Sequence, residues 1–259
     1  MTGLVVVTDL DGTLLDHDTY SAEPARPALA AMAERGIPLI MASSKTRAEM
    51  RALQQTLNIH GPFICENGAA ICVPPAGESG DADVVEALVP PRTEVLAVLR
   101  RLRDDDGFRF KGFADCDTEE IAGMTGLPLE QAVLAAEREY SEPLCWQDSE
   151  QRKTRFLEAL ATAGLSALQG GRFLSVAGRT NKGRALARLR ERYAGARIIA
   201  LGDSPNDEAM LSAADIAVII KSARSESMRA EGAGRVLRTT LPGPDGWREA
   251  VLPLLEEFQ

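Results

Sequence analysis

Val5-Val6-Val7-Thr8-Asp9-Leu10-Asp11-Gly12-Thr13-Leu14 reads as a buried strand that ends in two carboxylates spaced two residues apart, followed by glycine. Strand side chains alternate in direction, so Asp9 and Asp11 can point the same way from the strand's end. Two carboxylates 4 Å apart repel by about 4 kcal/mol at an effective dielectric of about 20. Such a pair persists when a cation sits between the groups, when one holds a proton, or when the residues splay apart. The first two options describe a metal-dependent catalytic site.

Working outward, the chain alternates strand and helix. Pro24 to Arg35 carries Leu29, Met32 and Ala33 on one helical face, with Gly36 as the residue after the C-cap. Ile37 to Ala42 is a second buried strand, ending at Ser43-Ser44-Lys45. Thr46 and Glu49 have capping-box spacing ahead of Met50, Leu53 and Leu57, and Phe63-Ile64-Cys65 reads as a third strand. The turn-rich stretch Pro74 to Asp81 is a natural boundary. Beyond it come a basic helix from Arg92 to Asp105, a strand over Phe108–Phe113, two helical stretches and a strand over Arg172–Val176. That mixture predicts a small α+β unit with one solvated sheet face. From Lys182 the first style resumes, with a helix striped by Leu186, Leu189 and Tyr193, a buried strand Ile198–Leu201, and a further strand Ile216–Ile220. The expected class is α/β, a doubly wound parallel-sheet (Rossmann-like) core over residues 1–81 and 178–259 with an inserted α+β domain over 82–177.

Bulk properties narrow the functions. A net charge of −9 over 259 residues argues against nucleic acid or an anionic membrane surface as the partner. It also requires that any anionic substrate be drawn in by local cations. No apolar run approaches the ~20 residues that span a bilayer. The start of the chain shows neither a basic leader nor a cleavage-site pattern, so no signal peptide and a cytoplasmic location are expected. Cys65, Cys72, Cys116 and Cys145 show no CxxC spacing and read as reduced thiols, with no zinc site expected.

In an open parallel sheet, ligands bind beyond the carboxyl ends of the strands. Three strands here end in polar sets: Asp9/Asp11, Ser43/Ser44/Lys45 and Asp203/Asn206/Asp207, with Lys182 at a helix start on the same rim. That inventory suits Mg²⁺, which takes oxygen ligands and bridges carboxylates to phosphate, and it suits phosphoryl transfer. An EF-hand loop starting at Asp9 fails, because Gly12 is fourth and Tyr20 is twelfth. Neither GxxxxGK[ST] nor GxGxxG occurs, so no P-loop or dinucleotide fingerprint competes.

With these motifs in this order, the chain resembles the haloacid dehalogenase superfamily of phosphatases and phosphomutases. The matching residues are Asp9-Leu10-Asp11-Gly12-Thr13, Ser43, Lys182 and Gly202-Asp203-Ser204-Pro205-Asn206-Asp207. An insertion between the second and third motifs is the family's type-two cap, and Glu66-Asn67-Gly68-Ala69 looks like its sugar-phosphate-phosphatase branch. Ser43-Ser44-Lys45-Thr46, Arg138-Glu139-Tyr140-Ser141-Glu142-Pro143 and Gly170-Gly171-Arg172-Phe173 are similar to mannosyl-3-phosphoglycerate phosphatases.

The resemblance implies a division of labour. Asp9 would be the nucleophile that forms an aspartyl-phosphate and would stay ionised as a metal ligand. Asp11 would carry the proton for the leaving alcohol, with its backbone carbonyl on the metal, and the two side chains should splay. Asp203 would complete the Mg²⁺ site, with Asp207 acting directly or through water. Ser43 would hold phosphoryl oxygens and Lys182 would neutralise nucleophile and phosphate. Ser44, Lys45, Arg138, Gly171, Arg172, Arg179 and Asn206 are the substrate-binding candidates, the arginines because their planar donors can grip a carboxylate. The implied partner is a phosphorylated sugar-glycerate, whose dephosphorylation yields the compatible solute mannosylglycerate. The alternatives are a broader sugar-phosphate phosphatase, a phosphomutase or a noncatalytic sensor. Neither nucleic acid nor membrane is expected, and the chain is expected to be a monomer or homodimer.

Overall fold

The computed structural model describes residues 3–74, 83–170 and 172–258. The break expected over Pro74–Asp81 lies, apart from Pro74, outside the described residues. The first part of the chain forms β1 (Leu4–Thr8), α1 (Arg26–Glu34), β2 (Leu39–Ala42), α2 (Arg47–Leu57), β3 (Phe63–Cys65), β4 (Ala70–Val73) and β5 (Val84–Ala87). The middle forms α3 (Arg92–Asp104), β6 (Phe110–Gly112), α4 (Thr118–Thr125), α5 (Leu129–Ala136), β7 (Ser141–Trp146), α6 (Glu150–Thr162), β8 (Leu165–Gln169) and β9 (Leu174–Gly178). The last part forms α7 (Lys182–Arg190), β10 (Arg197–Gly202), α8 (Glu208–Ser212), β11 (Ile216–Lys221), β12 (Arg235–Pro242) and α9 (Gly243–Glu257).

The larger sheet has the order β12-β11-β10-β1-β2-β3-β4-β5, parallel from β12 to β3 and antiparallel for β4 and β5. β1 is buried at every position because helices cover both faces, which is why it reads as an unbroken apolar run. Successive residues serve opposite layers. Val6 joins Met41, Ile199, Val218 and Trp247 on one face, while Val5 and Val7 join Ile40, Ala200 and Ile219 on the other. From β1 the chain winds outward through β2 and β3, and after the insertion it winds the opposite way through β10 and β11. The winding therefore reverses beside β1, which places a ligand crevice at the carboxyl ends of β1 and β10.

The smaller sheet is antiparallel, order β6-β7-β9-β8. Leu144, Leu174 and Val176 face α3 and α6, packing on Val95, Leu99, Phe156 and Leu160. The opposite face is not simply solvated, as the pattern suggested. Pro143, Leu168 and Ser175 on that side roof the crevice over the larger sheet. Pro143 is tolerated inside the sheet because β6 pairs only with residues 144–146 of β7, so no partner waits for the missing N–H on that side. The chain also leaves the larger sheet later than the division expected at residue 82. Val84–Ala87 pairs with β4 as an antiparallel edge strand, and the inserted unit is reached only beyond it. Among the described residues no helix is long and apolar enough to cross a membrane.

Candidate active site

β1 stops at Thr8, so Asp9 is the first residue past the strand, still tied to it by its N–H donating to the Leu201 carbonyl at 2.9 Å. Asp11 is not a strand residue. The chain turns through Leu10, which is fully buried, and closes with N–H bonds from Thr13 and Leu15 to the Leu10 carbonyl. Turn geometry, rather than strand alternation, sets the two carboxylates apart. Gly12 makes the turn possible at φ +82°, and a Cβ there would lie 2.8 Å from Asp203 Oδ2.

The two aspartates have different partners. Asp9 accepts from Lys182 Nζ at 2.5 Å, and the same ammonium donates to Asp207 Oδ1 at 2.7 Å. Lys182 opens α7, where Asn181 caps the helix by accepting from the Arg184 N–H, and its side chain has no exposed surface. Burial opposes the ammonium charge, but Asp207 and Asp9 outweigh it and hold its pKa above the ordinary lysine value. Asp11 instead meets Lys45 Nζ at 2.9 Å, and its Oδ1 is buried with no hydrogen-bond partner among the described residues. The two side chains thus turn to different ammonium groups.

Asp9, Asp203 and Asp207 each bring a carboxylate oxygen within 4.8 Å of the others. Burial pushes Asp9 up, and the Asp207 charge adds to that against the pull of Lys182. Burial and the Asp207 charge likewise push Asp203 up to about 6. Crowded acids whose ionised forms are disfavoured in this way, with an oxygen-only donor set, fit a hard divalent cation. Asp207 is the least free of the three. Besides Lys182, its oxygens accept from the Asp203 and Ser204 N–H groups and from Ser204 Oγ. Thr13 Oγ1 donates to Asp203 Oδ1 at 3.2 Å and orients it.

A cavity of about 380 Å³ opens above these groups, between the two sheets. Asp9, Asp11, Ser44, Lys45, Arg138 and Asn206 line it. Ser43 is buried at the end of β2 with its Oγ accepting from the Lys45 N–H at 3.3 Å, and Lys182 and Asp207 sit behind the floor. Two expected substrate arginines do not reach the cavity. Arg172 donates to the Met124 and Thr125 carbonyls at the end of α4, and Arg179 to the Ala161 carbonyl near the end of α6. Both guanidinium groups satisfy helix-end carbonyls. Gly171 lies outside the described residues.

The cavity also takes His17, Tyr20, Gln169, Ser175 and Arg224, which sequence reasoning did not single out. Four of them lie on irregular segments or at an element end, without periodicity to mark them. Ser175 had a signal, because it is the polar residue between Leu174 and Val176 in an alternating strand. Glu66-Asn67-Gly68 forms a left-handed turn at φ 47°, 58° and 92°. Such a conformation costs about 1–3 kcal/mol for a residue like Glu66. The turn is held by N–H bonds from Glu66 to the Lys45 carbonyl and from Asn67 to the Ser43 carbonyl, both 2.9 Å. Asn67 Oδ1 then accepts from Asn206 Nδ2 at 3.2 Å, joining the second and fourth motifs.

The chain matches the model of the haloacid dehalogenase-like hydrolases over residues 6–86 and 147–230. It is 37% identical to a glucosyl-3-phosphoglycerate/mannosyl-3-phosphoglycerate phosphatase of Methanococcoides burtonii, covering 97% of both chains. Among solved structures, a haloalkanoate-superfamily phosphatase from Bacteroides thetaiotaomicron superposes with a TM-score of 0.68 at 20% identity, covering 99% of this chain and 95% of that one. The sucrose-phosphatase from Synechocystis, solved with sucrose and phosphate, gives a TM-score of 0.63 at 17% identity over 100% and 98% of the two chains.

Proposed function

Because the chain belongs to the haloacid dehalogenase-like hydrolases, we propose that it is a Mg²⁺-dependent phosphatase releasing phosphate from mannosyl-3-phosphoglycerate to leave mannosylglycerate. One observation carries this reading. A buried carboxylate, Asp9, lies at the floor of a crevice beside an ammonium and two further acids, while Lys45 and Arg138 supply cations at its rim. The substrate class follows the relative from Methanococcoides burtonii, and the rim cations suit the glycerate carboxylate.

Asp9, Asp203 and the Asp11 carbonyl would hold Mg²⁺, with Asp207 orienting this group. Bound there, the cation would keep Asp9 ionised and offset the phosphate charge. An Asp9 oxygen attacks phosphorus as the bond to the glycerate oxygen breaks, and Asp11 passes its proton to that oxygen. Water then attacks the aspartyl-phosphate, Asp11 takes the water proton, and free phosphate and the Asp9 carboxylate result. Ser43 and the nearby N–H groups hold the phosphoryl oxygens, and Lys182 neutralises Asp9 and the phosphate together. The inserted unit acts as the cap that covers the sugar and excludes water. The reading places enzyme and substrate in the cytoplasm.

The test is phosphate release with Mg²⁺ across mannosyl-3-phosphoglycerate, glucosyl-3-phosphoglycerate, sucrose phosphate, trehalose phosphate and simple hexose phosphates. A clear preference for the glycosyl-glycerate esters is expected. Equal turnover across the panel would overturn the narrow assignment in favour of a general sugar-phosphate phosphatase.

A further inference from the structure

The Glu66 carboxylate has no exposed side-chain surface, yet it belongs to neither the acid cluster nor the cavity lining. Among the described residues, all the hydrogen bonds of this carboxylate run to the inserted unit. Oε1 accepts from the Glu139 N–H at 2.9 Å, and Oε2 accepts from the Tyr140 N–H at 3.2 Å, the Ser141 N–H at 2.8 Å and Ser141 Oγ at 2.5 Å. Ser141 Oγ in turn accepts from Arg138 Nη1 at 3.0 Å, and the same nitrogen donates to the Ser44 carbonyl at 2.9 Å. Arg138 Nη1 stands 3.9 Å from Glu66 Oε2, too far for a hydrogen bond but close enough to offset its charge. The Glu66 N–H is meanwhile fixed to the Lys45 carbonyl. One residue thus joins the loop carrying Ser43, Ser44 and Lys45 to the segment carrying Arg138.

We propose that Glu66 is a positioning residue for substrate recognition. Its carboxylate clamps residues 139–141 of the inserted unit and, through the Ser141 hydroxyl, sets the Arg138 guanidinium at the crevice rim. Three features support this. Four donors converge on a carboxylate that the fold keeps in a strained left-handed backbone, and strain of that kind persists only where its surroundings over-determine it. Three of the donors are consecutive N–H groups, those of Glu139 and Tyr140 just before β7 and of Ser141 at its start, so they define the position of that strand end as a unit. The clamp is also independent of the two chain crossings between the sheets, so it fixes the rim side of the insertion separately. Nearby contacts reinforce the seam, with Arg47 gripping Glu139 at 2.6 and 3.0 Å and Thr46 Oγ1 donating to the Leu134 carbonyl at 2.8 Å.

The inference rests on the phosphatase reading, and Glu66→Gln is the informative variant. It keeps the size of the side chain but replaces one of the two carboxylate oxygens by an NH2 group, which cannot accept from the N–H donors facing it. For mannosyl-3-phosphoglycerate, whose glycerate would reach Arg138, KM should rise roughly tenfold or more with kcat changed far less. For p-nitrophenyl phosphate, too small to need the rim, kcat/KM should stay within about twofold, since the groups at the crevice floor are untouched. Ser141→Ala, which removes only the relay hydroxyl, should reproduce the KM effect more weakly. Arg138→Ala should add little in the Glu66→Gln background.

Equal losses for both esters in Glu66→Gln and Ser141→Ala would overturn the proposal and make Glu66 a merely structural residue. Unchanged KM for the large ester would overturn it as well. Should Glu66→Gln fail to fold, Ser141→Ala decides by the same split. If the unaltered chain fails on mannosyl-3-phosphoglycerate, the substrate reading fails first. The split is then read with whichever glycosyl phosphate of the panel it hydrolyses.

Discussion

Among the described residues the Lys182 ammonium is held by two carboxylates alone, and its side chain has no exposed surface. Breaking a buried pair by removing one partner leaves uncompensated charge, which typically costs about 3–5 kcal/mol. Lys182→Met should therefore lower the unfolding free energy by an amount of that order, seen as a lower denaturant midpoint, and abolish phosphate release. A variant that is fully active with an unchanged midpoint would show that the ammonium supports neither the fold nor the reaction. Asp9→Asn separates the two roles differently. It keeps shape and burial while removing the attacking oxygen anion, so phosphate release should fall at least about a thousandfold under the nucleophilic mechanism. Trapping with a phosphate-labelled substrate should leave label on the unaltered chain and none on the variant. Retained turnover in Asp9→Asn would rule out the covalent route.

At the scale of elements, the turn after β1 carries the most consequential geometry. Gly12→Ala must accept φ +82° and bring a Cβ to 2.8 Å from Asp203 Oδ2, whereas Gly36, at φ +62°, has nothing within 4 Å of its added Cβ. Both substitutions share a left-handed penalty of about 1–2 kcal/mol. Only Gly12→Ala should also weaken the acid cluster, seen as a several-fold rise in the Mg²⁺ concentration for half-maximal activity. Equal behaviour of the two variants would show that the contact is absorbed by Asp203. The same scale explains what could be read from the chain. β1, β2, β3, β10 and β11 are buried on both faces and announce themselves as apolar runs. β5 and β12 are exposed edge strands with mixed composition, and β7 carries Pro143 and a Glu142 whose buried charge is met by Arg92 at 2.5 Å. Such strands are specified by tertiary partners, not by local pattern. The motif residues Asp9, Asp203 and Lys182 were legible because their spacing places them at strand and helix ends. The roles of Arg172 and Arg179 were not, because the helix carbonyls they satisfy lie 48 and 18 residues away in the chain.

Across the whole molecule, the acid cluster joins segments from opposite ends of the chain. Asp9 follows the first strand, while Asp203 and Asp207 follow β10, beyond the entire insertion. A cation held among them would have no equivalent site in the unfolded chain, where these residues are dispersed, so its binding energy would add to folding stability. The protein's net charge of −9 and the raised pKa of Asp203 act in the same direction, because both make uncompensated carboxylates in the crevice unfavourable. Mg²⁺ at about 100 times its dissociation constant should stabilise the fold by about 2.7 kcal/mol. For a protein of this size that corresponds to roughly 5–10 °C in melting temperature. Thermal denaturation in chelator, in Mg²⁺, and in NaCl of matched ionic strength separates site binding from general screening. The rise should appear with Mg²⁺ alone and vanish in Asp203→Asn. An equal rise with NaCl would mean that the −9 charge, and not the cluster, responds to the cation. No rise at all would show that the cluster binds Mg²⁺ too weakly to link the two halves of the chain.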